Sequence, residues 1–228
     1  YINMFNGCTA LTQAPELPAT NLANYCYHSM FQDCTILTNA PALPATTLAK
    51  SCYANMFYGC TGLANPPVLP AETLGYGCYH SMFYGCADLT QAPALPAETL
   101  ADYCYTAMFQ DCTGLTNAPA LPATTLTLYC YYSMFQGCTS LTRLPELPAT
   151  NLVQCCYSHM FHDCTSITLY TNGIGQTWGI PANATPPLAE WNYGMLAGTG
   201  GPFTSNPVVG KIYYYEAPPD PGACLTFS

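Results

Sequence analysis

The chain has 228 residues, of which half are hydrophobic and only 7% are charged. Its formal net charge is −9, and Lys50, Arg143 and Lys211 are its only Lys or Arg residues. Nucleic-acid binders and proteins that dock on anionic membranes need clustered Lys and Arg, so the composition excludes both classes. Apolar residues are interleaved with Thr, Asn, Gln and Gly, and no run reaches the roughly 18 residues of a membrane-spanning helix. We therefore expect no nucleic-acid partner and no membrane insertion.

A Met-Phe pair recurs along most of the chain at a constant interval of 26 residues, from 4–5 to 160–161. Such spacing predicts a solenoid, in which stacked units bury their apolar sides against each other. We predict a solenoid of about six and a half repeats over 1–167, which begins within a repeat. A C-terminal cap over 168–216 should close its apolar end, and 217–228 should be a linker or the start of a further module.

Each repeat carries the signals of one short helix and one short strand. Leu22, Cys26 and Met30 fall four residues apart, which favours one face of a helix with Thr20 as its N-cap. A Gly or Asp two residues after each Phe suits a left-handed helix exit. An extended Leu-Thr-x-Ala-Pro segment and a Leu-Pro turn complete the unit. The pattern predicts an α/β solenoid, a leucine-rich-repeat-like, right-handed stack of coils. The residues expected to point inward are Leu11, Leu17, Leu22, Met30 and Phe31.

The motif Met-Phe-x-Gly-Cys-Thr-x-Leu at this strict period resembles the bacterial surface protein 26-residue repeat and, more loosely, the BspA-like leucine-rich repeats. The resemblance covers residues 1 to about 167. The chain departs from the family in the Cys-Tyr before Met-Phe and in the regular Leu-Pro-Ala-Thr. The resemblance implies an extracellular adhesion or display scaffold of host-associated bacteria or their phages. It carries over no catalytic residues.

Thirteen of the 15 cysteines form two columns in the repeats, and three interpretations of the columns compete. They are buried thiols, bridges within each coil such as Cys26 to Cys34, or metal ligands. The spacing matches no common zinc motif, which disfavours metal. Cys155 and Cys224 lie outside both columns, so a bridge between them is a separate candidate. The columns comprise Cys8, Cys34, Cys60, Cys86, Cys112, Cys138 and Cys164, and Cys26, Cys52, Cys78, Cys104, Cys130 and Cys156.

No group of residues forms a recognisable catalytic or cofactor site. The densest polar cluster combines Cys155, Cys156 and Cys164 with His159, His162 and Asp163, and soft ligands so close together suit zinc. The repeat frame weighs against a zinc site, because two of these cysteines belong to the inward columns. No serine stands in a nucleophile elbow, and there is no Gly-rich phosphate loop. We expect a non-enzymatic protein without cofactor or bound metal.

The slots that vary between repeats predict an exposed face rich in Tyr, His, Asn and Gln and nearly free of charge. Such side chains offer rigid contact area and hydrogen bonds, and a sugar ring can stack on an aromatic face. The invariant Tyr after each Cys is expected to cover the helix, half packed and half wet. The candidate binding residues are Tyr25, His28, Tyr76, His80, Tyr103, Tyr129 and Tyr132.

The leading hypothesis is a binding or display module that is extracellular, at a cell surface or on a phage particle. It would act as an adhesin or as a receptor-binding tail-fibre component, and its partner would be a surface glycan or protein. The rival hypothesis is purely structural: coils whose exposed Tyr and Thr faces self-associate into a fibre or surface lattice.

Overall fold

The computed structural model describes residues 1–188 and 190–219. These residues contain no helix, and their only extended strands are β1 (Ile174–Gly179) and β2 (Ile212–Glu216). The two strands pair antiparallel, with Trp178 opposite Tyr213. The predicted α/β solenoid, with one helix and one strand per repeat, is therefore wrong in its elements. The chain is a repeat protein whose coils are built from turns.

The segment predicted to be helical is a succession of tight turns, which we call the turn ribbon. Even-numbered residues donate their N–H to the carbonyl three residues back, as Met30 N does to Tyr27 O at 3.2 Å. Odd-numbered residues instead donate to the next coil, as Phe31 N does to Met56 O at 2.9 Å. The alternation satisfies the backbone of the ribbon without a helix. Turn ribbons occupy 1–8, 25–34, 51–60, 77–86, 103–112, 129–138 and 155–164.

Left-handed residues recur at every fourth position of a ribbon. In the second repeat they are Tyr25, Ser29 and Asp33, with φ of 59°, 52° and 59°. The inward residues recur with the same interval: Tyr27 and Phe31 are both buried. A period of four lies close to the 3.6 residues of an α-helix turn, which explains why the apolar spacing resembles that of a helix. The predicted left-handed Gly or Asp position is confirmed.

Equivalent side chains of successive coils stack directly on each other in the core. The rings of Phe31 and Phe57 lie 5.6 Å apart and within 9° of parallel. Tyr27 and Tyr53 stack in the same way at 5.9 Å. The prediction that this Tyr is half wet is wrong, because its side chain is buried in every repeat that follows the first. The remaining core columns contain Met30, Cys34, Leu37, Leu43, Leu48, Cys52 and their equivalents.

The segment predicted as a short strand contributes only single bridges between coils. Asn39 pairs with Asn65, and Thr47 pairs with Thr73, both in parallel. The predicted inward positions are confirmed: Leu17, Met30 and Phe31 are buried, and Leu11 and Leu22 pack against the core. Each coil is therefore joined to the next along the ribbon and at separate points beyond it.

Within the segment predicted as the cap, residues 190–198 form a further turn ribbon. His159 N donates to Tyr193 O at 2.8 Å, and Phe161 N donates to Met195 O at 3.0 Å. Gly194 and Gly198 are left-handed at the four-residue interval of the other ribbons. This ribbon follows its predecessor after a longer interval, because β1 and neighbouring residues are inserted between them. The predicted linker is described only as far as residue 219.

The described cysteines are thiols, and most of them are buried. In the column after the Gly or Asp, the thiol donates to the preceding coil, as Cys60 Sγ does to Phe31 O at 3.0 Å. The bridge predicted as an alternative between Cys26 and Cys34 is not formed. The candidate bridge from Cys155 to Cys224 cannot be placed, since Cys224 lies outside the described residues.

The stability of the fold should fall steeply as the pH rises above about 9. Burial raises the pKa of Cys60 from 9.0 to about 12, so the folded state keeps a proton that the unfolded chain loses. Each such thiol removes about 1.4 kcal/mol of unfolding free energy per pH unit in that window. Urea unfolding under reducing conditions at pH 7.5 to 10.5 measures the slope. Cys60→Ala should flatten it by one proton, and exposed Cys8→Ala should not. Equal slopes in all three proteins would contradict this account.

In the column of Gly and Asp residues, the residue in one coil restricts which residue fits in the next coil. A Cβ added to Gly59 would overlap Asp33 Oδ1, because the Asp33 carboxylate leans over the next coil. A Cβ on Gly85, which follows a glycine, would find only Gly59 Cα, at 3.9 Å. An Asp in this column therefore requires a Gly in the next coil. The column comprises Gly7, Asp33, Gly59, Gly85, Asp111, Gly137, Asp163 and Gly198.

Gly59→Ala should destabilise the protein more than Gly85→Ala. The two glycines have φ of 68° and 70°, so the left-handed cost of alanine, about 1 kcal/mol, is shared. Only Gly59→Ala adds the clash with Asp33. The Tm of Gly59→Ala in thermal unfolding should therefore be lower than that of Gly85→Ala. Adding Asp33→Gly to Gly59→Ala should remove this difference in Tm. The restriction is wrong if Asp33→Gly leaves the difference unchanged.

Candidate functional site

Aromatic side chains line the outer side of the turn ribbons in a nearly continuous row. Tyr103 and Tyr129 stack at 4.9 Å and 8° from parallel, and Tyr76 lies 5.3 Å from Tyr103. Tyr129 continues to Tyr132 at 5.6 Å. His159 joins Tyr132 at 5.5 Å and Tyr193 at 5.3 Å. We call the lateral row the set Tyr25, Tyr76, Tyr103, Tyr129, Tyr132, His159 and Tyr193.

Lys50 connects the two tyrosines at the N-terminal part of the lateral row. Its Nζ lies 5.7 Å from the ring centre of Tyr25 and 5.2 Å from that of Tyr76. An ammonium group is attracted to the face of an aromatic ring. The positive charge of Lys50 is therefore held against ring faces, between Tyr25 and Tyr76 of the row.

The structure brings together most of the seven candidate binding residues. Tyr25, Tyr76, Tyr103, Tyr129 and Tyr132 belong to the lateral row, and His28 lies 6.1 Å from Tyr25. His80 occupies the same slot as Tyr132 and is half-buried. Burial lowers the pKa of both His28 and His80 below 6.5, so both imidazoles are neutral at pH 7.

The stacking of Tyr103 on Tyr129 decides which parts of these side chains are free. The facing sides of the two rings cover each other, so contact with a partner falls to the outer faces, the ring edges and the hydroxyl groups. The facing sides of these two rings are therefore not available to a sugar ring. The pair offers phenol hydroxyls in a fixed array, and each can donate and accept a hydrogen bond.

A second stacked pair of tyrosines lies on the ribbons outside the lateral row, at the position directly after Met-Phe. The rings of Tyr58 and Tyr84 are 4.5 Å apart and within 7° of parallel. A hydrogen bond to the Asp111 carboxylate raises the pKa of Tyr84 to about 12. The slot is shared with His162, which lies 5.5 Å from His159 of the lateral row. The exposed aromatic surface is therefore wider than the seven residues predicted.

The sequence offered a signal for some of the residues that were missed. Tyr58 and Tyr84 occupy a variable slot directly after Met-Phe. His159 stands where other repeats carry Ser, Asn or Ala, and Tyr193 belongs to the ribbon whose interval is not 26. Periodicity alone could not place these last two residues in the row.

Cys155 also lies on this surface, in the slot that Tyr103 and Tyr129 fill in earlier coils. A hydrogen bond with the Cys155 side chain raises the pKa of the Tyr129 hydroxyl. The half-buried thiol therefore continues the polar edge of the lateral row rather than the core columns.

The polar cluster considered for zinc is divided between the core and the surface. Cys164 is buried and its Sγ donates to Phe135 O at 3.0 Å. His162 lies on the outer side, where its Nδ1 is 2.9 Å from Asp163 Oδ2. Within residues 1–188 and 190–219, no three His, Cys, Asp or Glu side chains are grouped as metal ligands would be. The arrangement supports contact by hydrogen bonds and ring edges.

No protein-family model, no curated protein and no solved structure matches the chain. None of the described segments forms a helix long and apolar enough to cross a membrane.

Proposed function

We propose that the protein is a non-enzymatic, extracellular binding or display module whose lateral row contacts a surface glycan or protein. The observation that carries the proposal is the stacked array of Tyr103 and Tyr129 with its neighbours on the outer side of the ribbons. Tyr provides rigid, amphipathic contact area at low entropic cost, as in antibody binding loops. An adhesin or a receptor-binding component of a phage fibre would use such a surface.

Rigidity of the scaffold supports this role. Tyr129 N donates to Gln154 O in the next coil, and Tyr103 N donates to Leu128 O at 3.0 Å. The backbone beneath each ring is thus fixed in two coils at once. A row held in place before its partner arrives loses little conformational freedom on binding, which favours affinity.

The composition and the family resemblance favour the surface location. The protein carries three Lys and Arg residues, which gives trypsin-like proteases few bonds to cut. The similarity of the repeat motif to the bacterial surface protein repeat agrees with an adhesion or display role. Both points motivate the location as part of the proposal.

Removing hydroxyl groups from the lateral row should weaken binding while leaving the fold intact. Tyr103→Phe/Tyr129→Phe keeps both stacked rings, and each lost hydrogen bond should weaken affinity by roughly two- to tenfold. Binding of the monomeric protein to a glycan array and to immobilised host surface proteins measures the effect. Tyr170→Phe, outside the lateral row, serves as the matched control. If Tyr103→Ala/Tyr129→Ala leaves every observed interaction unchanged, the lateral row is not the binding surface.

Self-assembly into a fibre or lattice is the competing function. Its support is the exposed aromatic surface along the ribbons, where Tyr76 is 47% exposed and Tyr193 53%. The net charge of −9 opposes close packing of copies. Light scattering during size-exclusion chromatography should give the monomer mass across a wide concentration range. Growth of the particles with concentration would favour the structural alternative.

A further inference from the structure

The last 26-residue repeat departs from the others where the cap packs against it. Its Leu-Thr-Arg-Leu-Pro segment puts Arg143 in a slot that is Asn or Gln in every earlier repeat. Leu144 in the next slot is buried, which the packing of the cap explains. Arg143 stays exposed although the same segment packs beside it. The earlier residues in this slot are Gln13, Asn39, Asn65, Gln91 and Asn117.

Arg143 lies at the edge of a cleft of about 270 Å³ between the last repeat and β1 and β2. The cleft, which we call the Arg143 cleft, is separate from the lateral row. A wider cleft of about 420 Å³ adjoins it and shares Glu146, Thr177 and Trp178. The residues of the Arg143 cleft that the argument uses are Arg143, Glu146, Gln176, Thr177, Trp178 and Tyr215.

Two hydrogen bonds to the backbone of the last repeat fix the aromatic walls of the cleft. The Tyr215 hydroxyl accepts a bond from Leu144 N at 2.9 Å. Trp178 Nε1 donates to Pro145 O at 3.0 Å. The guanidinium carbon of Arg143 lies 4.1 Å from the ring centre of Tyr215, which is a stacking contact. The cleft is therefore preorganised around this guanidinium.

The guanidinium of Arg143 has its edge available for an anion. Among the described residues no carboxylate lies within ion-pair distance of a Lys or Arg side chain. A stacked guanidinium keeps its N–H groups in the plane of the fork that binds carboxylates in a bidentate manner. Within the described part of the chain, Arg143 therefore has no ion-pair partner, and its guanidinium can pair with the carboxylate of a ligand.

We propose that the Arg143 cleft binds a sugar acid, with the ligand carboxylate on Arg143 and ligand hydroxyls on Glu146 and Gln176. Glu146 only accepts hydrogen bonds when ionised, so it suits hydroxyl donors and repels a second anionic group. Gln176 and Thr177 can donate and accept. The combination of one free guanidinium, one carboxylate and neutral polar groups matches a molecule that has one carboxylate and several hydroxyls.

Titration with sugar acids, followed by the indole N–H resonances of the two tryptophans, tests the proposal. Trp178 lines the cleft, and Trp191 lies against Tyr157 on the other side of the last coil, so Trp191 is an internal control. D-glucuronate and N-acetylneuraminate are the probes, and D-glucose and acetate are the controls. We expect a saturable shift of the Trp178 resonance alone, with a dissociation constant on the order of 1 mM for at least one probe.

Arg143→Gln restores the residue type that Gln13 and Gln91 show to be compatible with the coil. It should weaken binding of the sugar acid by roughly tenfold or more. Arg143→Lys keeps the charge without the fork and should bind more weakly than the native protein. Tyr103→Phe/Tyr129→Phe should bind the probe normally, which separates this cleft from the proposed function of the lateral row.

Several results would overturn the proposal. One is the absence of a saturable Trp178 shift with both probes, and another is an unchanged titration in Arg143→Gln. Equal responses to acetate or to D-glucose would show that the cleft does not recognise a carboxylate and hydroxyls together. A comparison of thermal unfolding between Arg143→Gln and the native protein ensures that lost binding is not lost folding.

Discussion

The hydrogen bond from one turn ribbon to the next is the interaction on which the whole structure depends. It allows a chain with left-handed residues at every fourth position, of which each non-glycine residue costs about 1 kcal/mol, to form a regular core. Phe31 N and Met56 O illustrate the bond, and identical bonds fix identical residues above each other. The stacking of Phe on Phe, of Tyr on Tyr and of thiol on carbonyl follows from that register. An inserted residue within a ribbon would displace its columns, whereas the longer interval before the ribbon at 190–198 shows that residues can be inserted between ribbons.

The sequence predicted the repeat, the inward residues and the left-handed Gly or Asp, because those depend on spacing and residue type. It did not predict the ribbon, since apolar pairs every four residues are nearly indistinguishable from a helical pattern. Tyr27 and its equivalents were expected to be partly wet because Tyr carries a hydroxyl. Their burial depends on a stack that only the three-dimensional register creates. The lateral row was predicted in outline, whereas Tyr193 required the ribbon at 190–198.

The same register determines which chemistry the surface can offer. Side chains at equivalent positions of successive coils lie close enough to stack. Neighbouring aromatic residues therefore cover part of each other's ring faces, which are then not available to a ligand. Tyr103 and Tyr129 thereby lose two of their ring faces and retain their hydroxyls. A coil stack with this spacing favours hydrogen-bonded recognition over ring stacking along its length. The junction of the last repeat with β1 and β2 is the exception, because Arg143 meets Tyr215 there outside the register of the columns.

The hydrogen bonds between successive ribbons all point in one direction, so the stack of ribbons is electrically polar. Every second peptide group has its N–H toward the cap and its carbonyl toward the first coil. Their dipoles add as those of a helix do, and the cap end is the positive one. Within the stack, each ribbon therefore presents carbonyls toward the preceding ribbon and N–H groups toward the following one.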